Sequence, residues 1–182
     1  DYDDNLNSDE IIYEKDYGCI IQLYEEGILN KLVELSSLNE SFRVRSQAIL
    51  AIAKCLQYCA HTEIDNFIYN GCISIFLNSF DFFESNDIEI ILKGLIVIFN
   101  HIEHNPSSSV VSKCIKDFVE NDAEMKLENL NALHDCHSSE LIDLCIANLS
   151  KLVQKTNLKN KSHLQNEKEN AEFLEDYEED DG

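Results

Sequence analysis

Residues 28–59 decide the fold: they read ILNKLVELSS at 28–37 and, after a polar break, VRSQAILAIAKCLQYC at 44–59. The same order returns as CISIFLNSF at 72–80 and IEIILKGLIVIFNHI at 88–102. Each copy follows a glycine, Gly27 or Gly71, and the two glycines are 44 residues apart. The spacing of the apolar residues predicts one short and one long helix in each copy.

Helical repeats of this length are typical of armadillo and HEAT proteins, whose units have about 40–47 residues. Such a unit cannot bury its apolar face alone, so neighbouring units stack and share a continuous core. We therefore predict an all-α fold, an armadillo-repeat right-handed superhelical solenoid of about three repeats. The scarcity of helix breakers, five glycines and one proline in 182 residues, agrees with long helices.

Composition divides the chain into three parts. Residues 1–10 form an acidic leader and residues 156–182 an acidic tail, and we expect both to be disordered. The array occupies residues 11–155, with extra length expected around Pro106, at 105–109. Beyond the two repeats, its predicted helices are Tyr13–Glu25, His61–Tyr69, Val110–Glu120, Met125–Leu133 and Glu140–Val153.

We expect the last of these helices to end the array, so that only one of its sides needs to be covered. We expect its buried side to carry Leu141, Leu144, Cys145 and Leu152. We expect its outer side, which faces solvent or a partner, to carry Asp143, Asn148, Lys151 and Lys155.

The formal net charge is −21, from 35 acidic and 14 basic residues. A charge of this sign repels the phosphates of nucleic acids and attracts basic protein segments. No apolar run is long enough to span a membrane. We therefore expect protein partners and neither nucleic acid nor membrane.

Seven cysteines, an odd number, favour free thiols in a reducing compartment. Cys55, Cys59 and His61 have the side chains of a zinc site, but small residues packed in a buried helix are the favoured interpretation, because a second ligand pair is missing. A further cluster of zinc-type residues comprises His134, Cys136, His137 and Cys145, for which polar residues at helix ends are the favoured interpretation. We expect no metal and no cofactor. We also expect no enzymatic activity, because no cysteine–histidine pair lies at a turn that would expose a nucleophile.

Gly94 interrupts the second long helix at a cost of about 1 kcal/mol relative to alanine. We expect it to permit close helix packing.

Around Gly94, the chain resembles the C-terminal armadillo repeats of importin-α, the adaptor for nuclear localisation signals. The resemblance rests on Gly71–Ile73 opening a unit, on Leu92–Leu95 followed by Ile98, and on a last helix pair before an acidic tail.

This resemblance covers roughly residues 20–155. It implies that the chain is the C-terminal part of a divergent importin-α-like adaptor in nuclear protein import, present in cytoplasm and nucleus. An armadillo scaffold outside nuclear transport is the alternative.

Importin-α holds signal peptides with a tryptophan and an asparagine one turn apart on the long helix of most repeats. The matching positions are Ile49 and Ala53 in the first copy and Lys93 and Val97 in the second, and the chain has no tryptophan. With Arg45, these four residues form the predicted partner-binding groove. Because they cannot act as the family's pair, nuclear localisation signals should bind weakly if at all.

Arg45 lies one turn before Ile49 and so on the same helix face. Two interpretations stay open: it pairs with a nearby acid such as Glu40, or it contacts an acidic partner segment at the groove. The resemblance further implies contact with the export receptor that returns importin-α to the cytoplasm and with a nuclear-basket nucleoporin. The acidic tail surface for these partners comprises Glu175, Asp176, Glu178, Glu179, Asp180 and Asp181.

Overall fold

The computed structural model describes residues 27–37, 39–104, 108–133 and 138–155, and these residues contain helices and turns but no strand. The helices are α1 (Ile28–Leu35), α2 (Phe42–Leu56), α3 (His61–Tyr69), α4 (Cys72–Leu77), α5 (Ser85–His104), α6 (Ser108–Glu120), α7 (Ala123–Leu133) and α8 (139–155). The all-α prediction is confirmed. None of the described helices has the length and hydrophobicity needed to cross a bilayer. The predicted helix at Tyr13–Glu25, the leader and the acidic tail lie outside the described residues.

The same left-handed turn precedes three short helices. Gly27 (φ 70°) precedes α1, Gly71 (φ 82°) precedes α4, and Asp122 (φ 51°) precedes α7. A side chain makes this backbone conformation costly, so glycine suits it, and aspartate tolerates it better than most residues. The turn therefore recurs a third time where the sequence carries no glycine.

The spacing between these turns grows along the chain, from 44 residues between Gly27 and Gly71 to 51 between Gly71 and Asp122. The difference arises within helices. Helix α5 has 20 residues against 15 in α2, and α6 has 13 against 9 in α3. The prediction that the extra length lies around 105–109 stays a prediction, because residues 105–107 lie outside the described part of the chain.

The two long helices α2 and α5 pack against each other, and α1 covers α2. Gly94 of α5 lies at a close contact between them: a Cβ on Gly94 would be 3.5 Å from both Cα and Cβ of Ala53. It would also be 3.3 Å from Cε2 of Phe76, a fully buried ring of α4. The prediction that Gly94 permits close helix packing is confirmed.

The described residues up to Ile146 belong to one compact unit, and those from Ala147 onward belong to a second. The boundary between the two therefore falls within α8. In the first part of α8, Ile142 and Cys145 are fully buried, whereas Leu144 is 45% exposed. Leu141 is half-buried and Asp143 is exposed. The prediction that Leu144 packs inward is wrong, because the buried stripe follows Ser138, Ile142 and Cys145 at spacings of four and three residues.

In the second part of α8, residues 147–155, Leu152 is buried as expected, and Leu149 is buried as well. Lys151 and Lys155 are exposed, in agreement with the prediction, and Asn148 is half-buried.

Candidate functional site

The structure separates the five residues of the predicted groove. Ile49 and Ala53 belong to the core, with 2% and 0% of their surface exposed. They cannot contact a partner, so their assignment to the groove is wrong. Lys93 is exposed on α5, where its Nζ lies 2.7 Å from Oε1 of Glu89, and Val97 is half-buried one turn further on.

The reason for this error is a shift of two residues between the turn and the long helix. The burial pattern of α2 matches that of α5 at an offset of 46 residues, whereas the glycines are 44 apart. At the new offset, Lys93 corresponds to Gln47 and Val97 to Ala51. The buried positions also correspond: Ser46, Ala48, Ile49 and Ile52 match Leu92, Gly94, Leu95 and Ile98.

Arg45 is held by aromatic rings. Its Cζ lies 4.7 Å from the ring centroid of Phe82 and 5.9 Å from that of Phe42, at cation–π distance. The two rings meet edge to face with their centroids 5.6 Å apart. Among the described residues no ion pair joins Arg45 to Glu40. Contact of Arg45 with an acidic partner stays a prediction.

Val97 lines a cleft where the carboxyl-terminal ends of α2 and α5 meet α3. We call it the Val97 cleft, and its volume is about 320 Å³. Its apolar lining residues are Leu56, Ala60, Ile64 and Val97. Its polar lining residues are Gln57, Cys59, Asn100, His101 and His104. The cleft therefore brings together three helices that are separate in the sequence.

Three polar side chains of the cleft are hydrogen-bonded within the chain. Buried His101 lies with Nε2 2.6 Å from Oδ1 of Asp65 on α3, so the carboxylate accepts a hydrogen bond from the ring. The Gln57 amide donates to the Ala53 carbonyl at 3.1 Å. Nδ1 of His104 lies 2.7 Å from the Asn100 carbonyl, which can only accept, so Nδ1 carries the proton.

Cys59 is a poor nucleophile. Burial, followed by nearby Cys55 and Glu63, raises the pKa of its thiol to about 12, and burial also raises the pKa of Cys55. Nucleophilic cysteines are thiolates, whereas these thiols stay protonated at neutral pH. The described residues contain no group of three or more metal-ligating side chains in a suitable arrangement. Outside the description lie the His61 side chain, His134, Cys136 and His137.

We expect a chelator to leave the thermal midpoint of the native protein unchanged. A structural zinc would contribute folding energy directly, so its removal would lower that midpoint. Circular dichroism with and without the chelator measures the effect, and elemental analysis provides the control. One zinc ion per chain would contradict the expectation.

The sequence predicted Val97 as a groove residue but not the cleft that it lines. The acidic tail residues Glu175–Asp181 lie outside the described residues. Comparisons of the chain with protein-family models, with curated proteins and with solved structures find no match.

Proposed function

We propose that the chain is a protein-binding module of stacked armadillo units and that it forms the C-terminal part of an importin-α-like adaptor in nuclear protein import. The observation that carries the proposal is the recurrence of one motif. Three times a left-handed residue, at Gly27, Gly71 or Asp122, is followed by a short helix and then by a long one. In this proposal, helices α3, α4 and α5 form one armadillo unit, α6, α7 and the part of α8 up to Ile146 belong to the next, and α1 and α2 end the armadillo unit before.

Contacts between successive units support stacking. Helices that hold the same place in consecutive units are neighbours: α2 packs against α5, and α3 packs against α6. At the start of the third long helix, Cys145 Sγ lies 3.9 Å from the Leu92 carbonyl oxygen of α5. Repeat arrays are built in this way, each unit contacting its neighbours in the chain.

The binding surface in this proposal is the outer face of the long helices. Its α2 part carries Gln47, Ala51 and Lys54, with Tyr58 just after the helix. Its α5 part carries Lys93, Val97, Asn100 and His104. The net charge of −21 attracts basic segments from a distance. Salt screens that attraction beyond about 8 Å, so selectivity depends on direct contacts. The module works by binding rather than catalysis, in cytoplasm and nucleus.

A lysine-rich localisation signal should bind this chain with a Kd no tighter than about 1 µM, about −8 kcal/mol. In the corrected register, neither Gln47 and Ala51 nor Lys93 and Val97 can act as the tryptophan–asparagine pair. Calorimetry at physiological salt measures the affinity. As a matched gain-of-function control, Lys93→Trp combined with Val97→Asn installs the pair and should tighten binding. Sub-micromolar binding by the unmodified chain would contradict this prediction.

Capture of the importin-α export receptor tests the proposed function. We expect the full chain to capture the receptor in a pull-down, and a chain truncated after Lys161 to capture less. The truncated chain should keep its helical circular dichroism and its melting temperature. Loss of folding would show that the tail belongs to the core. If neither chain captures the receptor, an armadillo scaffold outside nuclear transport becomes the better proposal.

A further inference from the structure

We propose that the amino-terminal end of α2 carries a docking site for a short acidic segment of a partner protein. We call this site the Arg45 patch, and it comprises Phe42, Arg43, Arg45 and Phe82. It lies at the opposite end of α2 from the Val97 cleft and adds a contact outside the binding surface proposed above. The inference rests on the proposed function as a protein-binding module and names a further contact of that module.

The guanidinium of Arg45 contacts aromatic rings but is paired with no carboxylate of the described residues. Its Cζ lies 4.7 Å from the ring centroid of Phe82, and its Nε is shielded from solvent without a hydrogen-bond partner among those residues. Neither Arg45 nor Arg43 takes part in an ion pair there. A shielded donor that stays unpaired lowers stability, and a carboxylate from a partner would remove this cost. Arg45 therefore favours a carboxylate ligand from outside the chain.

The aromatic rings prearrange Arg45 for such a contact. Phe82 contacts Phe83 with the two ring centroids 4.9 Å apart, and Phe83 is only 8% exposed, so the connection that carries Phe82 is anchored in the core. A guanidinium placed over a ring keeps N–H donors at its edge, and these can bind a carboxylate through two parallel hydrogen bonds. Because the rings already restrict the arginine, less side-chain freedom is lost on binding.

The apolar part of the Arg45 patch favours an apolar residue next to that carboxylate. Phe42 is 56% exposed, although its ring meets that of Phe82 edge to face. A leucine or an aromatic side chain of the partner that covers Phe42 would bury apolar surface. We therefore expect the partner segment to combine acidic residues with an apolar one.

The charges near the Arg45 patch limit the partner to a segment with few carboxylates. Arg43 and Arg45 are the only arginines of the chain, and the first turn of α2 contains no acidic residue. Glu40, Asp81 and Glu84 are close to the patch in sequence, and all three are exposed. These acids and the net charge of −21 repel a polyanion such as a nucleic acid.

The same repulsion is weaker for a short segment. About half of the 35 acidic residues lie before residue 27 or after residue 155, outside the described helices. Salt screens their effect beyond about 8 Å at physiological ionic strength. A segment with one or a few carboxylates can therefore reach both arginines, and its affinity depends on direct contacts.

The test titrates the full chain with three synthetic peptides: a leucine flanked by glutamates, a leucine flanked by glutamines, and a leucine flanked by lysines. NMR should show shifts of the backbone amides at 41–46 and 81–84 with the glutamate peptide. We expect this peptide to bind roughly tenfold tighter or more than the glutamine peptide, because only its carboxylates form charge-assisted hydrogen bonds with a guanidinium. The lysine peptide should leave these amides unshifted.

Arg45→Gln removes the guanidinium and should reduce the affinity for the glutamate peptide roughly tenfold. Lys54→Gln is the matched control, because it removes the same charge from an exposed position of α2 outside the patch. If Arg45→Gln does not fold, Arg43→Gln combined with Phe42→Ser changes only exposed residues of the patch and should weaken binding likewise.

Equal affinities for the glutamate and glutamine peptides, or an equal loss of affinity from Lys54→Gln and Arg45→Gln, would overturn the proposal. Tighter binding by a chain truncated after Lys161 would overturn it in favour of the acidic tail as the occupant. Dimerisation that Phe42→Ser abolishes would overturn it in favour of a second copy of the chain. Any of these results alongside capture of the export receptor would refute the Arg45 patch alone. Peptide binding at the patch without capture would refute only the adaptor function.

Discussion

Replacing Ile49 with alanine should lower the free energy of unfolding by about 2–5 kcal/mol, the range for large-to-small changes in a core. Ile49 is 2% exposed, and its side chain packs on the buried face of α2. Truncation removes its contacts and leaves a cavity that the surrounding helices fill only in part. Urea denaturation followed by circular dichroism measures the loss as a shift of the midpoint.

Val44→Ala is the matched control for this experiment, since Val44 lies on the same helix and is 39% exposed. We expect it to change the free energy of unfolding by about 0.5 kcal/mol or less, as is usual at the surface. If Ile49→Ala costs no more than Val44→Ala, Ile49 is not a core residue. The groove assignment from sequence would then regain its basis.

Gly94→Leu should lower the free energy of unfolding by about 1–3 kcal/mol, because the new side chain would occupy space between two long helices. A Cβ alone would already lie 3.5 Å from Ala53 Cβ and 3.3 Å from Phe76 Cε2. Leucine adds further carbon atoms beyond that Cβ, so α2 and α5 must separate or Phe76 must move. Thermal and chemical denaturation of the variant measure the effect.

Gly94→Ala separates helix propensity from overpacking in the same assay. Alanine gains about 1 kcal/mol of helix propensity over glycine, and the close contact with Phe76 offsets this gain. The alanine variant should therefore unfold much closer to the unmodified chain than the leucine variant. A leucine variant as stable as the unmodified chain would show that the helices are not in close contact at this position.

Much of the helical structure could be predicted from sequence, because apolar spacing and turn residues are local signals. A turn was predicted from Gly71, and a close contact between helices was predicted from Gly94. The register of α2 could not be predicted in the same way. Residues 49–53 read ILAIA and are all apolar, so periodicity does not show which side is buried. Aligning the repeats on their glycines then placed Ile49 and Ala53 two positions away from the correct match.

The Val97 cleft depends on contacts between helices far apart in sequence, which the repeat pattern does not contain. His101 and Asp65 lie on different helices, and neither occurs in a motif. Phe82, which stacks with Arg45, comes from the connection between α4 and α5. The third left-handed turn had one weak indication in the sequence. Asp122 follows Asn121 between two helices, and both residue types tolerate a left-handed backbone.

The buried cysteines make local opening of the chain measurable. Cys72, Cys114 and Cys145 are 0% exposed on α4, α6 and α8, and burial raises the pKa of each thiol above its usual range. These thiols can therefore be alkylated only after the surrounding structure opens and exposes them. Proteins open locally, with free energies that differ along the chain. The order in which the three thiols become alkylated would record where unfolding of the native protein begins.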